Sequence, residues 1–207
     1  MAAFPIHKTR DRKWQLLRVI LSFPGVVGFF LPFAYGASPL EATKHWPGDW
    51  SLSSLGIVFG LAFLIFVGNL RLAISKRLSR PEIIGCVVFG IAGSILIATN
   101  LAYLVIDNGW PDWDEISGWS AIFIVWLLCA GHLVIVLRFR RRFFADSDAA
   151  VAALTAGYLP NAICCLVLFA GHWEIGAVSA LLSCICYVGM IAATVRRLGP
   201  QRTLPDC

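Results

Sequence analysis

Few side chains in this sequence could do chemistry, and they are far apart. His132, beside Gly131, stands six residues before Arg138 within a long uncharged stretch. An imidazole there could ligate haem or a metal, or carry a proton. A haem held by two histidines needs a second one at similar depth, and His7, His45 and His172 lie at or beyond the ends of such stretches. His132 therefore reads as a neutral, hydrogen-bonded packing residue, with a functional role as the alternative. Pro160-Asn161 interrupts another apolar stretch. Pro160 has no N–H and clashes with the carbonyl of Ala156, so a kink is expected there, with Asn161 capping the released group or bridging helices. Asn69 and Asn100 are further polar groups at depth. Broken helices at mid-depth are where transporters place ligands. Asn100, His132, Pro160 and Asn161 are accordingly the candidate ligand-binding residues, a plain kink satisfied by a neighbour being the simpler reading.

The remaining reactive groups point to less. Of seven cysteines, six fall inside apolar stretches and Cys207 in the terminal tail. Cys164-Cys165 and Cys184-Ile185-Cys186 could form a redox pair at similar depth, but no Cys-x-x-Cys occurs, and buried cysteine usually behaves as a small hydrophobe. His45, His172, Glu174 and Asp49 share one side, yet their spacing matches no metal-ligand pattern. There is no Gly-x-Ser-x-Gly, His-Glu-x-x-His, phosphate loop or dinucleotide fingerprint. No catalytic residue, metal or cofactor is expected, and an enzyme is the less favoured class.

The elements that must position these residues follow from composition. The 207 residues are 58% hydrophobic and 14% charged, with a mean hydropathy of +0.77. A soluble domain carries roughly 25% charged residues, and disorder needs low hydrophobicity. Six stretches lack Asp, Glu, Lys and Arg altogether: Val19–Leu40, Trp50–Leu70, Ile83–Ile106, Ile116–Leu137, Ala149–Trp173 and Ile175–Val195. Each reaches the roughly 20 residues a membrane-crossing helix needs, and none suffices for two crossings. Ala121–Leu128 does not alternate in polarity, which argues against barrel strands. The expectation is one domain over 1–207: an all-α integral membrane protein, a six-helix transmembrane bundle of three antiparallel hairpins, with spans near 17–37, 52–73, 83–106, 118–137, 149–170 and 175–195.

Orientation follows from the basic residues. If the links alternate between sides, one side holds 16 of the 17 Lys and Arg residues and the other only Lys44, together with seven of the twelve acids. The basic side is the cytoplasmic one, so both termini are cytoplasmic in a plasma or inner membrane. The same split explains the basic pI without nucleic acid. Arg138-Phe139-Arg140-Arg141-Arg142 reads as a topological anchor, with a lipid or partner site as the alternative. Ala34-Tyr35-Gly36 before Ala37 resembles a signal-peptide cleavage site, but the preceding apolar run is long and interrupted by Pro24 and Pro32, so a retained first span is expected.

Six of eight tryptophans fall near the external boundary, as an interfacial belt would. Trp46, Trp110 and Trp173 recur at 64 and 63 residues, and Trp46-Pro47-Gly48-Asp49-Trp50 resembles Trp110-Pro111-Asp112-Trp113. Equal hairpins produce such spacing without a true repeat. Small residues recur every four positions at Gly56/Gly60, Ala149/Ala153/Gly157 and Gly176/Ala180, faces that let helix backbones approach closely. The expected role is a non-enzymatic membrane component that packs against a second copy or another membrane protein, with the lipid bilayer as its surroundings and no nucleic acid. A small transporter or channel near the kink is the first alternative, a membrane redox or haem protein the second.

Overall fold

The computed structural model describes residues 7–34, 36–42, 50–108, 116–168 and 172–197. The segments carrying Trp46 to Asp49, Trp110 to Glu115 and the terminal Cys207 lie outside them, so two of the three repeated tryptophans and His45 and Asp49 do too, while Trp173, His172 and Glu174 lie within. Within the described residues the chain is all-helical apart from isolated bridges: α1 (His7–Phe30), α2 (Pro39–Ala42), α3 (Trp50–Ser75), α4 (Arg80–Asn108), α5 (Ile116–Arg138), α6 (Arg140–Phe143), α7 (Ser147–Leu168) and α8 (Ile175–Arg197). Four helices contain stretches long and apolar enough to cross a membrane: Val58–Ser75, Arg80–Ala102, Ser147–Val167 and Ile175–Arg197. A shorter apolar stretch, Ile122–Arg138, occupies α5. These helices are compatible with a membrane-embedded protein.

Helix starts are written locally. Ser38 and Glu41 reciprocally bond each other's backbone N–H around Pro39, a capping box that opens α2. At α4, Glu82 reaches back to the Ser79 N–H at 2.6 Å. Asp146 caps α7 by accepting the N–H groups of Asp148 and Ala149 at 2.8 and 3.0 Å.

The apolar run Val19–Leu40 is not one helix, because α1 stops at Phe30. Pro32 offers no N–H and disfavours helical backbone at Leu31. The carbonyls of Pro32 and Phe33 accept instead from Gly176 and Glu174 at the start of α8, at 2.7 and 3.0 Å. Gly36, in the left-handed region at φ 73°, donates its N–H to the Glu174 carboxylate at 2.6 Å. One helix end and one helix start thus satisfy each other's exposed backbone groups. A Cβ on Gly176 would stand 2.6 Å from the Pro32 oxygen, so only glycine fits.

The core centres on α7, which packs against α3, α4, α5, α6 and α8. Its apolar window is 78% buried, against 39–44% for the other three. Sequence neighbours touch, but the largest interface joins α4 to α7, and α1 also packs on α8. Short links alone do not foretell either contact. The small-residue faces behave unequally. A Cβ on Gly157 would collide with the Gly90 backbone, and one on Gly90 would stand 2.8 Å from the Ala153 oxygen. Gly60, by contrast, faces open space, so the Gly56/Gly60 face makes no close contact at Gly60. Pro160 leaves α7 helical through to Leu168.

Candidate functional site

His132 joins three helices. Its Nδ1 lies 2.8 Å from Ser94 Oγ on α4, and its Nε2 lies 2.9 Å from the Ala153 carbonyl on α7. A carbonyl only accepts, so Nε2 carries the hydrogen. In the neutral ring Nδ1 is then the acceptor and Ser94 donates. Neither nitrogen keeps a lone pair for a metal in this arrangement. Ser94 is fully buried and His132 nearly so.

Asn161 is also consumed locally. It is buried, and its Nδ2 donates to the Gly157 carbonyl at 2.7 Å, one turn back on its own helix. That is the carbonyl next to the one Pro160 releases. Pro160 is buried and Asn100 half-buried on α4. The four expected residues are not brought into one site: the structure ties His132 to Ser94 and Ala153, and Asn161 to its own helix. Cys164 packs with Cys129, while Cys165 and Cys184 belong to a separate cluster, so the two cysteine pairs do not converge as a unit.

A polar level absent from the sequence expectation lies where α1, α3 and α7 meet. Arg18 is 2% exposed and bonded to Asp148 at the start of α7. Burial between helices leaves its side chain no outward route, so a carboxylate takes the place of water. Gly25 opposes Ala62 and Gly28 opposes Phe59 across α1 and α3. That antiparallel register, continued by two helical turns, sets Arg18 opposite Asn69. Gly68 meets Val151 of α7, about one turn above Asp148.

Among the described residues, four buried side-chain nitrogen or oxygen atoms lack a hydrogen-bond partner: Trp14 Nε1, Arg18 Nε, and Asn69 Nδ2 and Oδ1. Trp14 precedes Arg18 by one helical turn on α1. Arg197 at the end of α8 stacks over the Trp14 ring at 4.7 Å. Each orphaned group carries a penalty of about 1–3 kcal/mol. Between them they offer three donor nitrogens and one carbonyl oxygen. The sequence shows Asn69 as a polar group at depth; the signal that relates it to Arg18 is the seven-residue step from Gly25 to Arg18 and from Ala62 to Asn69.

Compared with family models, curated proteins and solved structures, the chain matches none.

Proposed function

We propose that this chain is a six-pass membrane protein of three antiparallel hairpins, with both termini in the cytoplasm of a plasma or inner membrane, that acts without catalysis by packing against another copy of itself or a membrane partner. The crossing pattern draws support from helix directions. α1 with α3 and α4 with α5 meet in antiparallel register, through Gly25–Ala62 and Gly28–Phe59 and through Ser94–His132 and Ala98–Trp126. α4 and α7 run parallel, through Gly90–Gly157 and Gly93–Asn161. Alternating passes require these relations.

The observation that carries the packing role is the outward placement of Gly131 on α5 and Gly189 on α8. A Cβ on either would meet nothing within 4 Å. Around them Leu127, Leu128 and Ile135, and Ile185 and Val188, are exposed. In lipid, small residues on apolar faces admit close approach of another helix. Extraction in mild detergent followed by native mass spectrometry tests this. A dimer or defined hetero-complex that Gly189→Leu or Gly131→Leu disrupts is expected; monomer throughout, with no partner, overturns it.

The buried Asn69 amide, with neither polar atom bonded, favours a second reading, a small transporter or channel. Proteoliposomes shocked with glycerol or potassium chloride would then shrink or recover faster than empty ones, and Asn69→Leu would remove the difference.

A further inference from the structure

Between α3, α4 and α7 lies a fissure of about 290 Å³. Its walls are apolar, formed by Leu64, Val67, Cys86, Phe89 and Leu154, and Arg71 and Glu82 stand at one end. Leu64 and Phe89 are each seven residues from that end, about 10 Å along a helix. Gly85 lines the slot and faces its open space, for a Cβ there would meet nothing within 4 Å. That volume is smaller than one turn of an α-helix, about 10 Å across with a pitch of about 5.4 Å, and it has room for a stretch of a single hydrocarbon chain.

The charged end is organised. Arg71 Nε donates to Glu82 Oε1 at 3.0 Å, while Glu82 Oε2 takes the N–H and hydroxyl of Ser79. The carboxylate is thereby occupied, and the two Nη groups of Arg71, whose side chain is 55% exposed, remain for another acceptor. Lys76, Arg77 and Arg80 on the same short link are exposed. Over residues 71–82 four cations face one carboxylate. The link is pinned rather than loose, because the Leu78 N–H bonds Ser147 Oγ at 3.0 Å. A guanidinium fork with neighbouring cations suits a phosphate, and an apolar slot running away from it suits an acyl chain.

We propose that this fissure is a binding site for one anionic phospholipid, an acyl chain lying between α3 and α4 and the phosphate held by Arg71 with the cations of the α3–α4 link around it. The site rests on the membrane reading but not on which side the link faces. Glu82 sets the orientation of the Arg71 fork, and Gly85 leaves the wall beside it without a side chain.

Native mass spectrometry of the full chain in mild detergent, with phosphatidylglycerol or phosphatidylcholine of matched acyl chains added, tests it. One phosphatidylglycerol should be retained in preference to phosphatidylcholine. Arg71→Gln should weaken retention about tenfold, the scale of one charge-assisted contact. Gly85→Leu, which fills the slot, should weaken it by a similar factor, and Ile20→Ala on the exposed face of α1 should leave it unchanged. Melting curves of each variant separate loss of binding from loss of fold. Equal retention of the two lipids, wild-type retention by a folded Gly85→Leu, or adducts that rise without a preferred first site would overturn the proposal. Recovery of the chain as a folded protein without detergent would overturn the membrane reading itself.

Discussion

Arg18 and Asp148 form an asymmetric ion pair: the arginine side chain is 3% exposed and the aspartate 39%. Removing a partner from a fully buried pair costs about 3–5 kcal/mol because a charge is left uncompensated. Solvent at Asp148 softens this, so Asp148→Asn should destabilise the fold by about 2 kcal/mol. Arg18→Met combined with Asp148→Asn should recover most of the loss, since a neutral pair leaves no buried charge uncompensated. Thermal unfolding in detergent across the four variants measures the coupling, and a double variant as unstable as the sum of its singles would show that the pair does not act as a unit. Ser94→Ala should cost about 1–2 kcal/mol by stranding His132 Nδ1. This scale was the least legible from sequence. The expectation that His132 is a neutral packing residue agrees with its two hydrogen bonds. The burial of Arg18 was not legible, because a side chain one turn inside a span reaches the headgroups only if its face is outward, and sequence does not say which face is inward. Asn69 showed its polarity but not its lack of a partner, which depends on what α1 brings opposite.

Helices are held at distances set by single glycines. α4 and α7 touch backbone to backbone at Gly90 and Gly157. Gly157→Ala must therefore separate the two helices, and overpacking of this kind typically costs about 1–3 kcal/mol. Gly60→Ala, facing open space, should gain up to about 1 kcal/mol from helix propensity alone. Opposite signs for one chemical change, read as shifts in melting temperature, would trace the effect to the interface; equal signs would dissolve it. Lys76 ends α3 in the left-handed region at φ 61°, where its N–H bonds the Leu72 carbonyl at 2.9 Å. Lys76→Gly should relieve about 1 kcal/mol of backbone strain there. The Ala153–Gly157 stripe was visible as four-residue spacing, but its partner was not, since Gly90 lies on a helix two long helices earlier. The interruption after Phe30 was foreshadowed by Pro32; its closure by Glu174 and Gly176 needed contacts 140 residues apart that no local pattern carries.

At the scale of the whole molecule, the distribution of basic residues and the directions of the helices are independent observations that can be set against one another. The links at Ser79 and Ala145 are separated by α4 and α5, which meet antiparallel through Ser94–His132 and Ala98–Trp126. If each crosses once, the two links share a side, and they carry eight of the 17 basic residues. Lys44 would stand opposite. In a Cys207→Ser background, Ser79→Cys and Ala145→Cys should both resist a membrane-impermeant maleimide in intact cells and react once the membrane is opened, whereas Lys44→Cys should react at once. The remaining native cysteines are buried or half-buried among the described helices and set a low baseline. Ser79→Cys and Ala145→Cys on different sides would break the crossing count between them. Both reacting in intact cells, with Lys44→Cys protected, would keep the count and invert the protein. That inversion would place 16 of 17 basic residues on the outer face, against the cost of carrying cationic segments across a bilayer during insertion. It is on this ground that the inward assignment of both termini is the expected result.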